Sequence, residues 1–161
     1  MNIVTRLLLI ACLVLPIAAC KKEEVAKVQT APVAKPANED VTAWQAYVTD
    51  VVRRNAEPGS NPYVYFISGE SAPDFQGEYD RQMEKLDGDL ARGVTGDNVV
   101  LAFASPSSAK IADMVVDSFS RVGSGAWKGA KVLFIGDAAD NARVEAAVTP
   151  SGATYKFVEA K

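Results

Sequence analysis

The sequence predicts an α/β domain, a small three-layer sandwich built on a mainly parallel four-stranded sheet. Three observations carry that prediction. Short runs of β-branched, aliphatic and aromatic residues at 63–67, 99–104 and 132–135 read as strands, and residues 154–158 alternate as an edge strand does. The stretches between them repeat apolar residues at three and four, the period of a helix with one buried face. No two strand runs are joined by a hairpin turn, so each connection is a helical crossover, which makes neighbouring strands parallel and the crossovers right-handed.

Taken in order, the elements justify themselves locally. Asp40 is a capping residue ahead of a stripe formed by Trp44, Tyr47, Val48, Val51 and Val52, and Glu57-Pro58-Gly59 closes that helix. The run at 63–67 lies between Asn61-Pro62 and Gly69. A second helix follows with Phe75, Tyr79, Met83, Leu86 and Leu90 on one stripe, weakened by Gly77 and Gly88 and stopped at Arg92-Gly93. The run at 99–104 is apolar throughout, as a strand covered on both faces should be. Ser105-Pro106 then predicts a helix start, with Ile111, Ala112, Val115, Val116 and Phe119 buried and Gly123-Ser124-Gly125 as the stop. After the third strand, Gly136-Asp137 opens a shorter helix with Val144, Ala147 and Val148 inward, ended by Pro150. A flavodoxin-like strand order, 2-1-3-4, is the favoured arrangement of these pieces, with a thioredoxin-like mixed sheet as the alternative.

The first twenty residues are of another kind. Arg6 and the amino terminus precede an uncharged apolar run from 7 to 19, the pattern of a secretory signal. The run is shorter than the roughly 20 residues a membrane span needs, and it contains Pro16. Ordinary cleavage wants small residues at the last and third-last positions, yet Ile17 or Pro16 would occupy the third-last place. Ile17-Ala18-Ala19-Cys20 instead resembles the lipobox of bacterial lipoproteins: an aliphatic residue, two small ones and a Cys.

That resemblance implies cleavage before Cys20, a diacylglycerol on its sulfur and a membrane partnership through the lipid. Together with the pattern of the rest of the chain it gives three parts: residues 1–19 as signal peptide, 20–40 as lipidated Cys and flexible tether, and 41–161 as one α/β domain. The tether reading rests on Pro32, Pro36 and a mixture of Lys, Glu, Ala and Val without period; 20 extended residues reach at most about 66 Å. Lys21, not Asp, follows the Cys. By the same resemblance this favours the inner leaflet of the outer membrane, facing the periplasm, over inner-membrane retention.

Composition excludes several function classes. With 17 basic and 20 acidic side chains the net charge is −3, and no basic face is visible, which argues against nucleic acid as a partner. There is no His, and the two Cys are Cys12 in the leader and Cys20 at the lipobox. Ser-His-Asp and Cys-His mechanisms, disulfides in the domain and Cys/His zinc sites therefore have no residues to draw on. No cofactor is expected, since neither Gly-rich phosphate motif occurs, and no calcium loop is present either.

The remaining polar candidates sit where a parallel sheet binds ligands, beyond the carboxyl ends of its strands. In a 2-1-3-4 sheet the crevice lies between the loops after strands one and three, which offer Ser68, Glu70, Ser71 and Asp137, with Ser105 after strand two nearby. Each has a structural reading too: Ser105 as a helix cap, Asp137 as the cap or dipole partner of the fourth helix. Gly69-Glu70-Ser71-Ala72-Pro73 begins like the nucleophile elbow of α/β-hydrolases, but Pro73 stands in place of the second Gly and no His exists to activate Ser71. The acids Glu78, Asp80, Glu84, Asp87 and Asp89, interleaved with Arg81, Lys85 and Arg92, read as a solvated helix face. Trp127, beside Lys128, is either an exposed anchor for a partner or a lid on the core.

The function expected from these residues is a lipid-anchored envelope protein acting as a non-catalytic protein-binding module: an assembly factor, an accessory subunit, or an inhibitor or immunity factor. The alternative is a small-ligand binder or weak hydrolase using the polar loops.

Overall fold

In the computed structural model, residues 31–93 and 98–161 are described. The signal segment, Cys20 and residues 21–30 lie outside them, as do residues 94–97.

Asp40 begins the folded order as its position predicts. Its carboxylate accepts from the Ala43 amide at 2.7 Å and caps helix α1, Val41–Asn55. Strand β1, Asn61–Phe66, leads into helix α2, Phe75–Arg92, which stops at Gly93 with a positive φ of 74° that a side chain would resist. Strand β2, Val99–Ala104, is buried along its whole length. Helix α3, Ser108–Phe119, strand β3, Lys131–Gly136, helix α4, Ala138–Val148, and strand β4, Thr154–Glu159, complete the series. A single 3-10 turn, Thr149–Ser151, built on Pro150, separates the last two.

The four strands are all parallel, so the fold is the α/β sandwich expected. Their order corrects the favoured one: it is β1-β2-β3-β4, sequential, not 2-1-3-4. The physical reason lies in the strands themselves. A 2-1-3-4 sheet would put the wholly apolar β2 at an edge and β1 inside, whereas β1 contains Pro62, which has no amide to give a central ladder.

Sequential winding with right-handed crossovers carries α2, α3 and α4 to one face of the sheet. There Leu86, Leu90, Ile111, Met114, Val115, Phe119, Val144 and Val148 meet Tyr65, Leu101, Phe103, Val132 and Phe134. The other face is covered by α1, whose Trp44, Tyr47, Val48, Val51 and Val52 pack on Val100, Ala102, Ala104, Leu133 and Ile135. At about 1.5–3 kcal/mol for each large side chain removed from water, each face contributes a substantial share of the stability.

Residues 31–40, expected to belong to the tether, rest on the domain and fall in the same compact unit, Ala31–Lys161. The Val33 amide donates to the Asp50 carboxylate at 3.1 Å, the Lys35 amide to the Lys161 carbonyl at 3.3 Å, and the Trp44 indole to the Asn38 carbonyl at 2.8 Å. Asp50 is buried; bonds from Arg54 and Arg53, with the Val33 amide, hold its carboxyl well below the usual carboxylate range.

Candidate functional site

Because all four strands run the same way, the loops after β1, β2 and β3 share one end of the sheet. With sequential order the β2 loop lies between the other two. The crevice expected directly between the β1 and β3 loops is therefore filled by Ser107 and Ser108. Ser107 Oγ accepts from the Glu70 amide at 3.2 Å on one side, and Ser108 Oγ accepts from the Asp137 amide at 2.8 Å on the other.

Each of the five polar candidates has an intramolecular partner. Ser68 is buried, and its amide and hydroxyl both donate to the Glu78 carboxylate, which ties the first turn of α2 to the exit of β1. Ser105 is buried as well; its hydroxyl lies 3.4 Å from the Ser68 carbonyl and accepts from the Ser107 amide at 2.9 Å. That turn delays the helix, so Ser107 and not Ser105 occupies the N-cap position of α3. The Glu70 carboxylate faces Lys110 at 3.6 Å, and the Ser71 hydroxyl donates to the Glu39 carboxylate. Asp137 stands at the N-cap of α4 without a side-chain capping bond; its carboxylate faces Lys35 at 3.6 Å. The structure thus brings Ser68 and Ser105 together and leaves Asp137 across the Ser107-Ser108 turn from them.

Trp127 is 3% exposed and closes the three-helix face of the core, its indole directed at the Leu90 carbonyl at 3.4 Å. The exposed-anchor reading of this residue is corrected by that burial. The lid arrangement follows from the turn that ends at Gly129, whose φ is 93°, and from the Trp127 amide donating to the Ser151 carbonyl at 2.8 Å.

At the opposite end of the sheet Tyr65 joins three residues expected on a solvated helix face, Lys85, Asp89 and Arg92, and the Asp89 side chain is only 14% exposed. The Tyr65 hydroxyl donates to Asp89 at 2.5 Å, Lys85 reaches the same carboxylate at 3.0 Å, and Arg92 closes on its other oxygen. The Lys85 ammonium also stands 4.1 Å from the Tyr65 ring centre. Burial and then the Asp89 carboxylate push the Tyr65 phenol far above its ordinary value. Burial works to raise Asp89 too, but the bonds from Tyr65 and Lys85 outweigh it and keep the carboxyl low. A cavity of about 80 Å³ opens here, lined by Tyr63, Tyr65, Asp89, Arg92, Gly93, Val99, Leu101 and Trp127. Tyr63 and Tyr65 share a face by strand alternation, which is the signal that could have found it. As an arrangement it is a paired network in which two cations, Lys85 and Arg92, share one carboxylate, suited to fixing α2 against β1.

Among the described residues no group of Asp, Glu, His or Cys is arranged to hold a metal ion, and no helix is long and apolar enough to cross a membrane. Comparison with family models, with curated proteins and with solved structures finds no match.

Proposed function

We propose that this chain is a lipid-anchored cell-envelope protein, held through Cys20 and facing the periplasm, whose α/β domain is a non-catalytic protein-binding module. Its role is that of an assembly factor, an accessory subunit, or an inhibitor or immunity factor. The observation that carries the reading is the internal pairing of the polar loops. Ser68 with Glu78, Ser71 with Glu39, Glu70 with Lys110 and Asp137 with Lys35 spend on one another the groups that a substrate would need.

The test is crosslinking in intact cells followed by mass spectrometry. The full chain should capture neighbours that a version ending before the domain does not, and Cys20→Ser should lose the lipid and the membrane-proximal set. Identical neighbours with and without the domain would sink the reading.

A second reading, a small acidic ligand at the loop after β1, is favoured by one contact: Ser71 already holds a carboxylate, that of Glu39. It requires that thermal stability rise with some envelope metabolite and that Glu39→Gln strengthen the response. A flat response across a broad panel counts against it.

A further inference from the structure

We propose that the chain forms a two-fold dimer by antiparallel pairing of β1 with β1 of a second copy, in the register that sets Val64 opposite Val64. This goes beyond the envelope-partner reading and does not depend on it.

The two edges of the sheet differ in kind. Natural edge strands are protected from pairing by charge, and β4 carries Lys156 and Glu159. β1 carries none: from Asn61 to Ser68 there is no ionisable group except the two tyrosines. In a chain of net charge −3, an uncharged strand is where two copies can approach without repulsion.

The backbone fixes which groups the free edge offers. The Asn61 amide donates to the Asn98 carbonyl at 3.0 Å, inward toward the β2 side. Peptide groups alternate along a strand, so Asn61, Tyr63 and Tyr65 face β2, while Pro62, Val64 and Phe66 face outward. An antiparallel two-fold through Val64 makes Val64 and its counterpart exchange both N–H to carbonyl bonds. It sets Phe66 opposite Pro62 of the second copy, so the Phe66 amide meets a carbonyl at the one position that has no amide of its own. All four outward N–H groups of the pair are then satisfied, and Pro62 falls where only its acceptor is called on.

Side chains agree with the register. Pro62, Val64 and Phe66 share the α1 side, where Val64 is 42% exposed and Pro62 is exposed, so two such stripes join into one apolar patch. On the other side the register sets the exposed Tyr63 opposite Tyr65 of the second copy, whose own ring stays buried against Phe103. The contact is isologous and closes after two copies, leaving the charged β4 edges outside.

Purified full-length chain in detergent should show a concentration-dependent dimer by sedimentation, and amide exchange at Val64 and Phe66 should slow as the dimer forms, with Tyr63 and Tyr65 unchanged. Val64→Lys and Val64→Glu each place like charges opposite one another and should be monomeric at low salt; an equimolar mixture should recover the dimer. Position 64 is exposed, so both variants should keep the wild-type circular dichroism. A wild-type chain monomeric up to about 1 mM, a dimer indifferent to either charge, or a mixture that stays monomeric would each overturn the proposal.

Discussion

Replacing Trp44 by Ala tests the architecture most directly, because among the described residues α1 is the one helix on its face of the sheet. Trp44 is 3% exposed, meets the Tyr47 ring edge-on at 5.6 Å and donates its indole N–H to the Asn38 carbonyl at 2.8 Å. Truncating a buried Trp costs about 3–5 kcal/mol, from lost transfer energy and the cavity left behind. Against a total of about 5–15 kcal/mol for a domain, that is a large fraction. At roughly 3–5 °C for each kcal/mol in a domain of this size, the melting temperature should fall by about 10–20 °C. Trp44→Phe keeps most of the ring and forfeits the indole bond, so it should cost about 1–2 kcal/mol.

The assay is built into the composition. The chain has two Trp, and the other, Trp127, lies in the opposite face of the core. In both variants, urea unfolding followed by Trp127 fluorescence reports on the three-helix face while circular dichroism reports on the whole. Coincident transitions, both shifted by the full amount, mean that the two faces unfold as one cooperative unit. A loss below about 1.5 kcal/mol for Trp44→Ala, or a Trp127 transition that does not move, would refute the claim that α1 is integral to the sandwich.

Two further perturbations separate tight packing from loose packing and pairing from burial. A Cβ at Gly136 would stand 2.6 Å from the Ser108 hydroxyl and 2.7 Å from the buried Phe134 ring, so Gly136→Ala should cost about 1–3 kcal/mol in urea unfolding; Gly69→Ala faces only the movable end of Glu39 and should cost well under 1 kcal/mol. Asp50 is held low by Arg54, Arg53 and the Val33 amide, so its folded carboxyl lies below its unfolded value. Its contribution is therefore full above about pH 4 and is lost as pH falls from there toward the folded value. Asp50→Asn should flatten the acid limb of a stability-against-pH curve; an unchanged limb would mean that the pair does not couple to folding.

Much of the element order was legible because it rests on local chemistry. The stripe from Trp44 to Val52, the Asp40 cap and the Gly93 stop each depend on residues within a turn or two, and each appears where expected. Strand order depends on long-range pairing, and only one residue in β1 spoke to it: Pro62, which belongs at an edge. The docking of residues 31–40 was hidden for a related reason. Its bonds, such as Val33 to Asp50 and Lys35 to Lys161, run largely through backbone groups that every sequence possesses. At the candidate site, the polar loops were assigned to the correct end of the sheet, but Ser105-Pro106 carried a helix-start pattern whose hydroxyl is instead spent on a turn to Ser107. Which hydroxyl meets which carboxylate could not be read without the neighbouring strand.

The sequential order also explains why the apolar surface lies where it does. In a sheet that reverses its winding, helices fall on both faces and a crevice opens at the reversal. Here the winding never reverses, so three helices crowd one face and the other must be covered by a helix from outside the crossover series. A helix is about 10–12 Å across, whereas parallel strands lie about 4.8 Å apart, so one helix covers little more than two strands. α1 covers β2 and β3, through Val100, Ala102, Ala104, Leu133 and Ile135. β1 is reached by α2 on the three-helix face, through Tyr65, but on the other face it lies at the margin of α1, and Val64 there stays 42% exposed. The exposed edge is thus a consequence of topology rather than of one surface residue, and it is the edge through which the dimer is proposed to form.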